Sequence, residues 1–127
     1  MNTLPPKIKR GTLGELLAQV YLLANGVQAA PPLRDSGNDL IACRGSSILA
    51  LQVKTRKGYN FSKHNLPELY HGVVYIVLRE KNRLCDISHP DVYLMSRAEI
   101  RSAPSLGKRM IEPYRINIQR VREVFRR

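Results

Sequence analysis

The stretch from Asn38 to Lys54 leaves this chain little conformational choice. Two alternating segments, Asn38 to Cys43 and Ile48 to Lys54, flank the polar loop Arg44-Gly45-Ser46-Ser47. Side chains alternate between the faces of a strand, and a loop of this composition closes a hairpin. Centring the loop on Gly45 and Ser46 sets Cys43 opposite Ile48. Counting outward from that pair brings Asp39 opposite Gln52. Lys54 then shares their face, about 6.6 Å further along its strand. One face carries Leu40, Ala42, Leu49, Leu51 and Val53 and suits a core. The other carries Ile41, Cys43, Ile48 and Ala50 near the turn, with Asp39, Gln52 and Lys54 at the far end. Slipping the register by one residue drives the acid into the core, so the pattern also fixes the pairing.

The elements around the hairpin follow from spacing. Thr12 and Glu15 read as a capping box opening a helix. Leu13, Leu16, Leu17, Val20, Leu23 and Ala24 supply its apolar stripe, and Gly26 its stop. A short strand is expected at Val27–Ala30, ended by Pro31-Pro32. The polar, basic stretch from Thr55 to Asn65 reads as a loop. Val73–Leu78 is continuous and β-branched, as in a strand buried on both faces. Val92–Met95 is a further short strand, and Ser96 with Glu99 forms a second capping box. Asn117 caps a last helix whose stripe is Ile118, Val121, Val124 and Phe125, with Arg120, Arg122, Arg126 and Arg127 around it. These arginines suit either a phosphate-binding face or a solvated one. Without a repeat or linker, the whole chain, 1–127, reads as a single α/β domain.

Charge narrows the partners. Lys and Arg total 21 against 10 Asp and Glu, a net charge of +11 on 127 residues. Such an excess favours a polyanion, through long-range attraction and counterion release. Nucleic acid is the first expectation. The longest apolar run is far short of a membrane span. The basic segment Met1–Arg10 has no apolar stretch behind it and does not read as a secretory signal. The two cysteines, Cys43 and Cys85, lack any metal-binding spacing and read as reduced, buried residues of a cytoplasmic or nucleoid-associated protein. His64, His71 and His89 are scattered and lack zinc spacing.

The polar trio carries the chemistry. A carboxylate and an amide oxygen converging at one point suit a hard cation such as Mg²⁺, with Mn²⁺ as a substitute. The backbone carbonyl of Val53, between Gln52 and Lys54, is a third candidate ligand. Lys54 adds a positive charge that suits a phosphate or the orientation of an attacking water. Only Glu15, Asp35 and Asp39 are acidic before Glu68. Glu15 reads either as the cap partner of Thr12 or as a further metal ligand. Asp35 reads as part of a turn with Ser36 and Gly37. Asp39 with Lys54 also fits a plain cross-strand ion pair. The next segment mixes cations with aromatic and amide groups. Arg56, Lys57 and Lys63 suit backbone phosphates, while Tyr59 and Asn60 suit a sugar or base.

Asp39 followed by Gln52-Val53-Lys54, with Glu15 on a preceding helix, resembles the PD-(D/E)XK nuclease superfamily. The Asp-Ser-Gly-Asn-Asp-Leu-Ile run and Gln-Val-Lys-Thr look most like its branch of nucleases encoded in group I introns. The archaeal Holliday-junction resolvases are less close. The resemblance covers roughly Gly11 to Arg56, and Gln52 stands where the strict motif has an acid. It implies a restriction-endonuclease-like core, a mixed central sheet flanked by helices. It implies a metal-dependent endonuclease hydrolysing DNA, in a homing, restriction-like or junction-resolving role. Asp39 and Gln52 would hold Mg²⁺ with help from Glu15, and Lys54 would position or activate water. Cutting both strands needs two sites, so a homodimer or larger symmetric assembly is expected. The alternatives are a non-catalytic nucleic-acid-binding module with a decayed site, and a structural RNA binder.

Overall fold

The computed structural model describes residues 5–34 and 37–126. The turn expected at Asp35 and Ser36, the segment 1–4 and Arg127 lie outside the described residues.

Helix α1 spans Pro6–Ala24, with Pro5 as N-cap and no side-chain cap. The fixed φ of proline suits a first helical turn, so Pro5-Pro6 starts the helix more than a turn before Thr12. The Thr12–Glu15 capping box suggested by the sequence therefore does not form, and both residues lie inside the helix. Gly26, at φ 86°, ends it as expected. The inward face also differs. Gly14, Ala18 and Leu22 are buried, while Leu16, Val20 and Leu23 are exposed. Small residues dock closer to a sheet than the bulkier stripe can. A Cβ added at Gly14 would stand 1.8 Å from Thr55 Oγ1.

Five strands form one sheet: β1 (Gln28–Ala30), β2 (Leu40–Arg44), β3 (Ser47–Arg56), β4 (Gly72–Val77) and, after a two-stranded ribbon of β5 (Glu80–Lys81) and β6 (Leu84–Cys85), β7 (Asp91–Ser96). Their order is β1-β2-β3-β4-β7. The β3–β4 pair is parallel and the others are antiparallel. The hairpin has the expected register, with Cys43 opposite Ile48 and Leu40 opposite Leu51. Its turn shrinks to Gly45 and Ser46, Gly45 taking a φ of 59° that suits a tight hairpin. Strand β3 runs to Arg56, beyond the expected end, because Thr55 and Arg56 pair with Ile76 and Val77 of β4. The β5–β6 ribbon was not foreseen. Its turn residues Asn82 and Arg83 both have positive φ, and only Asn82 carries a turn signal.

Two apolar layers sandwich the sheet. On one face Leu40, Ala42, Leu51 and Val53 meet Ala18 and Leu22 of α1, Val121 of α4 (Ile118–Val124) and the α4 C-cap Phe125. On the other, Val73, Tyr75, Val77 and Tyr93 pack with Ile100 of α2 (Arg97–Ser102) and Ile111 of α3 (Lys108–Ile111). The protein is thus a mixed α/β fold whose five-stranded sheet is flanked by helices. Both later caps form: Ser96 and Glu99 make a full capping box, and Asn117 accepts from the Arg120 amide.

Arg120 corrects the expectation for the last helix. It belongs to neither a phosphate-binding nor a solvated face. Its guanidinium is buried against Glu99 (2.6 Å), Glu123 (2.7 Å) and the Leu94 carbonyl (2.9 Å), which ties α2, α4 and β7 together. Cys43 and Cys85 are free thiols, half-buried rather than buried. Among the described residues no helix is long and apolar enough to cross a membrane.

Candidate active site

The site arises where the hairpin strands become unequal. Strand β2 begins at Leu40, whereas β3 continues five residues past Leu51. Asp39 finishes the ladder: its amide donates to the Leu51 carbonyl at 3.0 Å. Its carboxylate then takes the place of a strand neighbour, and Oδ2 accepts from the Val53 amide at 2.8 Å. In such a ladder the N–H and C=O of one residue face the same edge. The Val53 carbonyl therefore stands on the edge that holds the Asp39 carboxylate.

Gln52 is buried. Its Nε2 donates to the Gly37 carbonyl and to Asn38 Oδ1, and Asn38 in turn donates to the Leu69 carbonyl. With the amino end held, Oε1 is the atom of the carboxamide left to act as a ligand. Lys54 is half-buried on the same face, paired with Tyr75 of the parallel neighbour. The plain ion pair between Asp39 and Lys54 is not formed among the described residues.

Glu15 reaches this point from the other element, carried by the close packing of Gly14 on Thr55. Burial raises its pKa above the usual carboxylate range, and the Asp39 charge raises it further. Two acids from distant parts of the chain thus face one cleft of about 540 Å³. Lys7, Arg10, Gly11 and Glu15 of α1 line it, opposite Asp39 and the β3 run Gln52–Arg56. The cleft sets four cations, Lys7, Arg10, Lys54 and Arg56, around two carboxylates. Glu80 on β5 fixes part of this ring by accepting from Arg10 and, at 3.1 Å, from Lys57. Sequence reasoning missed Lys7, Arg10 and Glu80. The i, i+4 spacing of Lys7, Gly11 and Glu15 becomes informative only once the helix is known to start at Pro6.

The donor set is hard oxygen: two carboxylates, one carboxamide and one backbone carbonyl. Among the described residues no group of three or more His, Cys, Asp or Glu converges. A site of this composition suits Mg²⁺ or Mn²⁺ and does not suit zinc or copper.

The expected nucleic-acid-binding segment divides into two kinds of residue. Arg56 lines the cleft, Lys57 is exposed and shares Glu80 with Arg10 of the cleft, and Asn60 is exposed. The head groups of Tyr59 and Lys63 are engaged within the protein. Tyr59 donates to Asp91 at 2.6 Å, and Lys63 donates to the Ile100 and Ala103 carbonyls at the end of α2. Together they strap the segment 57–63 across the sheet. Burial opposes ionisation of Asp91, but hydrogen bonds from Tyr59, Arg115 and Arg79 outweigh it and hold its pKa down to about 2. His71 is also structural, its Nδ1 accepting from the Ala50 amide at 2.8 Å. His64 and His89 are exposed.

Compared with known proteins, the chain matches no family model, no curated protein and no solved structure.

Proposed function

We propose that the chain is a metal-dependent endonuclease of the PD-(D/E)XK type, with a restriction-endonuclease-like core, which hydrolyses DNA phosphodiester bonds. One observation carries this reading. Glu15 and Asp39, remote in sequence, meet beside Gln52, Val53 and Lys54 in a single cleft ringed by cations. An ion pair or a helix cap needs no such convergence. A nuclease needs it, because negative oxygen donors must hold a cation while nearby positive charge receives the phosphate.

Asp39, Gln52 through Oε1 and the Val53 carbonyl would hold Mg²⁺, with Glu15 as a further ligand. When bound, the cation supplies Lewis-acid stabilisation of the charge that develops at phosphorus. Lys54 orients the attacking water and offsets charge on a non-bridging oxygen. Water adds to phosphorus as the bond to the leaving sugar oxygen breaks, giving a phosphomonoester and a hydroxyl group. Lys7, Arg10 and Arg56 hold the flanking phosphates. The Asp39 carboxylate is kept in place by the Val53 amide, so its position does not depend on ligand. Gln52 lowers the negative charge of the site by one relative to an acid, which predicts weak cation affinity and a millimolar Mg²⁺ requirement.

Incubating supercoiled plasmid with protein in Mg²⁺, Mn²⁺ or EDTA tests the reading. Cleavage is expected with either cation and not with EDTA. Asp39→Asn and Lys54→Ala should each abolish it while leaving the circular dichroism spectrum unchanged. DNA binding without cleavage in either cation, across plasmids and branched junctions, would instead identify a binding module with a decayed site.

A further inference from the structure

A symmetric assembly is expected from the nuclease resemblance; we infer where it forms, as a two-fold homodimer joined through an apolar surface at the β1 edge, an interface read from the fold and not from the site. The α1 residues expected in the core but turned outward make the first half of this surface. Leu16, Val20 and Leu23 are 54%, 59% and 65% exposed, at the spacing of one helical stripe. Val20 and Leu23 line a groove of about 710 Å³ that continues over β1 and Pro31-Pro32 to Ile41 and Cys43 on the back of the hairpin. Ile48, opposite Cys43, extends it and is 64% exposed.

Three observations select a second copy as the occupant. First, none of the ten residues lining the groove is charged, in a chain where 24% are. A polyanion finds no cation here. An identical copy, by contrast, meets the groove without bringing like charges together, although each chain carries +11. Second, the sheet has two edges, and among the described residues only one is closed. At β7, Ile116 donates to the Val92 carbonyl and Arg115 bridges Tyr93. At β1, the strand Gln-Ala-Ala carries none of the charges or internal prolines that protect a free edge. Third, the size fits. The lining and its aliphatic border amount to roughly a tenth of the residues, and a standard interface covers about a tenth of a small protein's surface. A surface that pairs with itself implies a two-fold axis and a closed dimer. The strand part of the surface lies at β1 and the turn end of β3, about 20 Å of strand from Lys54, and the α1 residues that line the groove, Gln19 to Leu23, follow those that line the cleft, Lys7 to Glu15.

Analytical ultracentrifugation at about 100 μM, well above the micromolar dissociation constants that such interfaces reach, reads the assembly without metal or DNA. The wild type should sediment as a dimer. Val20→Glu and Leu23→Glu should each give a folded monomer with unchanged helical circular dichroism. Leu84→Glu, an equally exposed change on β6, should leave the dimer intact. A monomeric wild type overturns the inference, and so does a dimer that survives both α1 substitutions. Plasmid cleavage keeps the two proposals apart: a Val20→Glu monomer should still nick one strand but lose concerted linearisation. Absence of nicking in every form contradicts the nuclease reading alone.

Discussion

Replacing Gly14 by alanine tests how the helix that carries Glu15 is held. Propensity alone makes this change favourable, since alanine in a helix interior is about 0.5–1 kcal/mol better than glycine. The packing argues the reverse. A Cβ at this position would lie 1.8 Å from Thr55 Oγ1, 2.8 Å from its Cβ and 2.9 Å from its Cγ2. Because the Thr55 Cβ is itself too near, no rotamer of that side chain clears the clash. Carbon atoms pack at about 3.5–4.0 Å, so α1 must retreat by roughly 0.7–1.2 Å. Overpacking of this kind costs about 1–3 kcal/mol. Set against the propensity gain of about 0.5–1 kcal/mol, this leaves a net loss of up to about 2.5 kcal/mol. Urea denaturation of Gly14→Ala should show it. Combining it with Thr55→Gly should reveal a favourable coupling of about 1 kcal/mol or more. Glu15 moves with the helix, and a displacement near 1 Å should lower cleavage up to about 100-fold. A Gly14→Ala protein stabilised by 0.5–1 kcal/mol would refute the contact, and with it the route by which Glu15 reaches Asp39.

Arg120→Met removes the one guanidinium shared by Glu99, Glu123 and the Leu94 carbonyl and should cost about 2–3 kcal/mol in urea denaturation, below the value for a fully buried pair because both carboxylates are partly exposed. Asp91 titrates at about 2 when folded against 3.8 when free. A depressed carboxylate stabilises the fold above its unfolded value, so about 1–2 kcal/mol should be lost as pH falls from 4 towards 2, and Asp91→Asn should flatten that limb of the stability curve. Lys63→Met should lower stability by about 1.5–3 kcal/mol by freeing the α2 carbonyls. Its salt dependence of DNA binding should stay near that of the wild type, whereas Arg56→Ala should reduce the slope by about one.

Much of the site was legible because the hairpin is short. Alternation about a loop centred on Gly45 and Ser46 sets one register, which brings Asp39 to Gln52 and Lys54. The capping box at Ser96 and the cap at Asn117 were equally local and equally readable. What escaped depends on docking between distant segments. The inward face of α1 is decided by the small side chains of Gly14 and Ala18 meeting Thr55, not by the distribution of leucines. Proline at positions 5 and 6 moved the helix start, which displaced Thr12 from a cap and brought Lys7 and Arg10 to the cleft. Tyr59 and Lys63 look like nucleic-acid contacts because their partners, Asp91 and the end of α2, lie about thirty or more residues away. Arg120 looked solvated for the same reason: the acid that neutralises it, Glu99, belongs to another helix.

The most direct test of the convergence is where a divalent cation binds. Crystals soaked in Mn²⁺ should give an anomalous peak about 2.0–2.2 Å from an Asp39 carboxylate oxygen, with Gln52 Oε1 and the Val53 carbonyl completing the protein ligands. Asp39→Asn crystals should lose it. A cleft that stays empty at saturating Mn²⁺, or a peak bound elsewhere and indifferent to Asp39, would contradict the account.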